Sequence, residues 1–163
     1  MIETNRLLLL PFTFELAEAT IMSKENLTNV LNYNVSKEWP SPQYMKLIKI
    51  QKDKLQQNPE ASAWGRIAIH KETQTLIGEI GCKALPDENG KVEIGYGMVS
   101  EARNKGLATE MVIGFTKWLI SQPDVKNISA ECLVSNIASA KVLKKSGFNI
   151  VKEGEDTIYW QKA

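Results

Sequence analysis

The run Arg103-Asn104-Lys105-Gly106-Leu107-Ala108-Thr109-Glu110 has residue types and spacing suited to holding an anion such as a phosphate. The segment before it, Glu93-Ile94-Gly95-Tyr96-Gly97-Met98-Val99, alternates and is rich in bulky residues, which predicts a strand. After it, apolar residues fall at 107, 111, 115 and 119, with 108, 112 and 118 beside them, which is helical spacing. A strand, a short glycine-containing turn and a helix N-terminus therefore follow one another. First-turn amides of such a helix lack intrahelical acceptors and lie at the positive end of its dipole. Gly106 and Ala108 keep side chains out of the approach, so a phosphate can come close to the backbone. The ordinary alternative is a loop that does no more than cap a helix. Two better-known phosphate motifs are excluded. A P-loop needs Gly-Lys-Ser/Thr after four spacer residues, whereas Lys105 precedes the glycine. The three spaced glycines of a dinucleotide fingerprint are missing.

The rest of the chain supplies the elements that must position this turn. Residues 4–11 predict a strand stopped by Pro11. Residues 14–22, 24–33 and 41–57 predict helices, the last with Pro42 at its first helical position. Between them, the polar loop 34–40 presents Trp39, which either caps the core edge or walls a substrate pocket. Residues 63–70 and 75–84 predict a hairpin through the polar 71–74, and the turn at 86–90 leads into the Glu93 strand. After the central helix, 127–133 predicts a strand. Residues 136–146 then predict a helix, with Lys144 and Lys145 in its last turn and Gly147 as its stop. Residues 148–153 and 157–161 close the chain as a hairpin around Gly154. With no repeat, linker or low-complexity stretch, residues 1–163 predict a single mixed α/β domain.

Composition narrows the classes of function. The chain of 163 residues is 43% apolar and 24% charged, enough for one domain with a real core. A net charge of +1 argues against a broad nucleic-acid footprint. No apolar run approaches the roughly 20 residues that span a bilayer, so no membrane partner is expected. No signal-peptide pattern is present, and a cytoplasmic location is expected. Cys82 and Cys132 lie in strand-like segments without metal spacing and read as reduced core thiols. His70, the single histidine, has no second imidazole or cysteine pair near it, so no metal is expected.

Four pieces in order carry a resemblance: Glu-Ile-Gly-Tyr at 93–96, Arg-x-x-Gly-x-Ala-Thr-Glu at 103–110, Asn136-x-x-Ser139, and Lys145-Ser146-Gly147-Phe148. Together they resemble the GNAT superfamily of N-acetyltransferases. The nearest branch is the one that includes the ribosomal-protein N-terminal acetyltransferases, of which the opening Glu3-Thr4-Asn5-Arg6-Leu7-Leu8-Leu9 is also typical. The resemblance implies an α/β (α+β) GNAT fold with flanking helices. Its mixed, mostly antiparallel seven-stranded sheet would splay between the fourth and fifth strands to hold acetyl-CoA. It assigns the pyrophosphate loop to Arg103, Asn104, Lys105, Gly106, Leu107, Ala108 and Thr109, and backbone pairing with the pantetheine arm to Met98 and Val99. Asn136 and Ser139 would lie near the cofactor, on one helix face; the plainer readings are a helix cap and a surface serine. Two departures stand out. Leu143 occupies the position where many members carry a tyrosine general acid, and Ser100 stands where the family usually has proline. Ser139 could donate weakly in place of that tyrosine, and a thiol pKa near 8.5 makes a thiolate a tolerable leaving group.

Direct acetyl transfer from acetyl-CoA to a primary amine requires the amine to lose a proton, because such amines are largely protonated at neutral pH. Glu93 is the first candidate for the base, since alternation places it on the strand face opposite Val92 and Ile94. The competing reading is an exposed carboxylate paired with Lys91 or Lys83, and Glu79 on the adjoining strand is the backup. A backbone N–H near Met98 would meet the oxyanion. The expected acceptor is a protein N-terminus or a small amine, and exposed strand edges leave a homodimer open. Other readings are a CoA-binding GNAT-fold sensor without activity, and a flavin- or nucleotide-binding domain using the same cradle.

Overall fold

The computed structural model describes residues 1–163. Its elements show helical-period burial on the helices and alternating burial on some of the strands. In chain order these are β1 (Ile2–Glu3), β2 (Leu7–Pro11), α1 (Phe14–Met22), α2 (Lys24–Leu31), β3 (Asn34–Val35), α3 (Pro42–Gln57), β4 (Gly65–His70), β5 (Thr75–Cys82) and β6 (Lys91–Met98). There follow α4 (Leu107–Ile120), β7 (Asn127–Leu133), α5 (Ile137–Lys145), β8 (Asn149–Glu153) and β9 (Thr157–Lys162). On β6, Val92 and Ile94 are buried while Lys91 is exposed, as alternation requires. On α4, Leu107, Met111, Val112, Phe115 and Leu119 form one buried stripe, each such side chain worth about 1.5–3 kcal/mol when fully buried. No helix is long and apolar enough to cross a membrane.

The strands form one sheet in the order β1-β2-β4-β5-β6-β7-β9-β8, with β3 added beside β5. β1 and β3 are two residues each; the other seven strands build the sheet that the family resemblance implies. Pairing is antiparallel except for β6–β7 and β3–β5. β6 and β7 pair only from Lys91 opposite Asn127 to Ile94 opposite Ala130, while β6 runs on to Met98, paired with Gly78 of β5. The sheet therefore parts between its central parallel strands, as expected. α4 packs on the face of β2 that carries Leu9, where a Cβ on Gly114 would meet the Leu9 Cδ1 at 3.9 Å. Trp39 and Tyr44, at the start of α3, approach the opposite face.

Several boundaries shift by one or two residues, Ala63 and Trp64 for example closing a 3-10 turn (Pro59–Trp64) ahead of β4, and two larger differences have clear physical reasons. Residues 4–11 do not run as one strand, because Thr4 N–H closes onto Leu7 O at 2.9 Å and turns Thr4 and Arg6 toward α4. Within 34–40, Asn34 and Val35 pair in parallel with Thr75 and Leu76, so the segment is part strand. Helix capping shows a further contrast. Side-chain oxygens of Thr13, Ser23, Ser41 and Asn136 accept from the amide three residues on and cap α1, α2, α3 and α5. α4 begins at Gly106 with no side-chain cap.

Candidate active site

Where β7 leaves β6, the exposed backbone edge belongs to alternate residues. Val99 N–H donates to Ile77 O at 2.9 Å, which turns Val99 toward β5. Its carbonyl accepts from Ala102 N–H, so both of its polar groups are used. Alternation then directs the N–H and C=O of Met98 and Tyr96 into the opening. Of the two residues expected to offer a pairing edge, Met98 does so and Val99 serves the sheet. The Met98 carbonyl also accepts from Arg103 Nε at 3.2 Å, which folds the following loop back against the edge.

That loop ends in the uncapped N-terminus of α4. Asn104 (φ 61°) and Gly106 (φ 75°) are left-handed, and Gly106 meets this requirement without the Cβ penalty other residues pay. The first amides of α4, at Leu107, Ala108 and Thr109, have neither a helix acceptor nor a side-chain cap. Behind them stands a brace from the other end of the chain. Glu110 accepts from Thr4 Oγ1 (2.6 Å), Arg6 N–H (2.6 Å) and Arg6 Nε (2.7 Å), while Arg6 Nη1 donates to Lys105 O at 2.8 Å. Burial opposes ionisation of Glu110, but the hydrogen bonds from Thr4 and Arg6 and the Arg6 charge outweigh it and hold its carboxyl below the usual range. A depressed pKa stabilises the fold above the ordinary carboxylate pKa, and that contribution fades as pH falls through the depressed value. Glu110→Gln should therefore lower Tm at pH 7 by several degrees, for a loss of about 1–2 kcal/mol. The gap between variant and wild type should close in acid, as thermal melts over pH 2–7 would show.

The far side of the opening is formed by α5. Asn136 Oδ1 caps that helix by accepting from Ser139 N–H at 3.1 Å, and Ser139 Oγ shares a 2.8 Å hydrogen bond with Tyr96 OH. Burial, partly offset by that bond, pushes the Tyr96 phenol up to about 12, so it stays protonated. Leu143 is fully buried in the core. The hydroxyl pair at the opening is thus Tyr96 with Ser139, supplied from the strand.

On the opposite face of the sheet lies a half-buried carboxylate. Glu79 sits across from Gly97, where a Cβ would come within 2.5 Å of Glu79 Oε1. It accepts from Trp39 Nε1 at 2.8 Å, and Trp39 is itself 1% exposed, packed edge-on to Phe12 and against Tyr44. Burial holds the Glu79 carboxyl above the usual range, against the Trp39 hydrogen bond that lowers it. The Tyr44 phenol is likewise raised by burial and then by the Glu79 charge. Glu93 lies on the same face nearer the paired end, where Lys83 Nζ binds its Oε1 and also reaches Glu131 Oε1 at 3.4 Å. Burial alone would lower the Lys83 pKa, yet these two carboxylates raise it, so the ammonium is firmly held.

An uncapped helix N-terminus thus stands beside a one-sided strand, with a half-buried carboxylate across the sheet. The family described as an acetyltransferase (GNAT) domain matches residues 6–149. The chain belongs to the GNAT family. It is 29% identical over 161 residues to an uncharacterised N-acetyltransferase of Bacillus subtilis, YjdG, covering 98% of this chain and 96% of that protein. Its fold matches a ribosomal-protein-S5-alanine acetyltransferase from Vibrio fischeri with a TM-score of 0.68 at 19% identity, over 98% of this chain and 94% of the other. It also matches the microcin C7 self-immunity acetyltransferase MccE, solved with acetyl-CoA and AMP. That match has a TM-score of 0.67 at 17% identity, over 98% and 93% of the two chains.

Within this GNAT domain, Met98, Arg103, Asn104, Lys105, Gly106, Leu107, Ala108 and Thr109 follow the rim of one opening, with Asn136 and Ser139 across it on α5. Glu93 is apart, committed to its ion pair with Lys83. Four contributors take roles here that the sequence does not assign: Arg6, Glu110 as its partner, Tyr96, and Trp39, expected as a core-edge cap or pocket wall, as the donor to Glu79. Arg6, Glu110 and Tyr96 were visible inside the motif strings, without any sign of what they touch.

Proposed function

We propose that this GNAT protein transfers an acetyl group from acetyl-CoA to a primary amine, on a protein N-terminus or a small molecule, with Glu79 as the general base. The observation that carries the reading is the pairing of an open anion cradle at Gly106 with a half-buried carboxylate, held by Trp39, on the other face of the same strand pair. The residues suit CoA: three free amides and the Arg103–Lys105 charges for the diphosphate, and the Met98 N–H and Tyr96 backbone facing the opening for the amide-rich arm. When bound, acetyl-CoA supplies the activated acetyl group. A neighbour of the same fold has been solved with that molecule.

The chain's own residues do the rest. Glu79 accepts the proton of the attacking amine, directly or through water, and its raised pKa brings its basicity nearer to neutrality. Met98 N–H meets the charge that develops on the acetyl oxygen. The Tyr96–Ser139 hydroxyl pair donates to the departing sulfur, a modest contribution because a thiolate leaves readily. Glu93, ion-paired with Lys83, shapes the charge of the acceptor side and yields the base's role to Glu79.

A panel of N-terminal peptides and small primary amines, followed by CoA release and mass spectrometry, tests this. Acetylation of α-amino groups or small amines is the expected result. Acetylation confined to internal lysines would overturn the acceptor class. CoA binding without turnover on any amine would make the protein a binding module.

A further inference from the structure

One edge of β5 is shared by two segments that belong to different halves of the site. Asn34 and Val35 pair with Thr75 and Leu76, and Ser36 N–H donates to Leu76 O at 3.1 Å. The next positions on that edge receive Val99, through Ile77 O, and Met98, opposite Gly78. The loop that carries Trp39 and the short 3-10 turn Ser100–Ala102 therefore leave the sheet side by side. They are also joined. Ser36, 5% exposed, donates its hydroxyl to Glu101 Oε1 at 2.8 Å. Ser100 donates its hydroxyl to the Glu38 carboxylate (2.7 Å to each oxygen) and its backbone N–H to Glu38 Oε2 at 3.2 Å.

We propose that Ser36 and Glu38 are positioning residues that couple occupation of the cofactor cradle to the placement of Trp39 on Glu79. The proposal rests on the CoA reading above. The turn Ser100–Ala102 lies between the two segments that would hold CoA, the Met98 edge and the loop from Arg103 to Thr109. A ligand that fixes both sides of a three-residue turn fixes the turn, and Glu38 and Ser36 pass that order to the residue beside them, Trp39. Trp39 then holds the base by its 2.8 Å bond to Glu79 Oε2. By linkage, ordering of the acceptor loop must in turn favour CoA. The device depends on Ser100. Proline, which the resemblance leads one to expect there, has neither an N–H nor a hydroxyl to offer Glu38.

This makes Ser100→Pro the discriminating variant. Ser100 opens a 3-10 turn after the extended Val99 (φ −61°, ψ 152°), a place where proline fits the backbone. The measurement is amide hydrogen exchange of residues 36–39 with and without saturating CoA, beside calorimetric CoA affinity. In wild type, CoA should slow exchange at Glu38 and Trp39 by about fivefold, the low end for a coupling carried by two partly exposed contacts. In Ser100→Pro and in Glu38→Ala the slowing should fall below about twofold, with CoA affinity of the apo protein within about threefold of wild type. Glu38→Gln, which keeps an acceptor oxygen, should recover most of the effect. Undiminished slowing in Ser100→Pro and Glu38→Ala would overturn the coupling, as would its absence in a wild type that binds CoA. Failure of wild type to bind CoA at all would remove both this coupling and the reading on which it rests.

Discussion

Replacing Gly106 by valine is expected to weaken CoA binding by at least about a hundredfold, roughly 2.7 kcal/mol. At φ 75° the residue occupies the left-handed region, where a β-branched side chain is a genuine outlier. A Cβ there would also lie 3.4 Å from Arg6 Nη2, the group next to the one that fixes Lys105 O. The backbone must therefore rotate, and the rotation carries the first amides of α4 out of line. Strain and obstruction can be separated with Gly106→Asn, because asparagine tolerates the left-handed region while still adding bulk over the amides. We expect Gly106→Asn to keep a Tm close to wild type and to lose most of the CoA affinity in calorimetry. Wild-type affinity in Gly106→Asn would show that nothing docks over this turn, and the cofactor site would have to be sought elsewhere.

The cradle was legible because everything it needs is contiguous: one strand, one turn and one helix start, each with its own periodicity or backbone signal. Its support was not. Arg6 and Glu110 lie 104 residues apart and meet only because the turn at Thr4 breaks the first strand. The same limit explains the two carboxylates. Alternation sets Glu93 opposite Val92 and Ile94, and the β5–β6 register adds Glu79 to the Glu93 face, yet what separates their chemistry is the neighbour each meets across the fold. Glu93 meets Lys83, whose N–H pairs with Glu93 O in the sheet, and takes it as an ion-pair partner. Glu79 meets an indole from a loop 40 residues away and is half-buried beside it. Val99 illustrates a finer case. Strand prediction gives its existence but not which way its N–H turns, and that is settled by the register with β5. The seven principal strands were all anticipated, since each is long enough to show period two or is bounded by clear turns; β1 and β3, at two residues, are too short to carry a pattern.

Glu79→Gln should lower kcat/KM for the amine by roughly 10²–10⁴ while leaving CoA affinity unchanged, the range that loss of a general base produces. Glutamine keeps the shape and an acceptor oxygen for Trp39 Nε1, so the indole need not move. The pH profile gives the sign. In wild type the rate should rise as Glu79 ionises, through a value raised above the usual carboxylate range by burial, and then level off. In the variant no such step remains, and the residual rate should keep climbing as the amine loses its proton to solvent. Stability moves the other way. A carboxyl whose folded pKa is raised favours the fold below its unfolded pKa, and that advantage is lost as pH rises through the folded value. Once ionised, Glu79 is therefore a burden on the fold, and above its folded pKa Glu79→Gln should melt at or above the wild-type temperature, with the difference shrinking in acid. Slower turnover in a protein that is no less stable separates a lost base from a damaged site. If kcat/KM fell less than about threefold, or the two pH profiles ran parallel, the proton would be leaving by another route, and Glu93, freed from Lys83 in a Lys83→Met background, would be the next carboxylate to test.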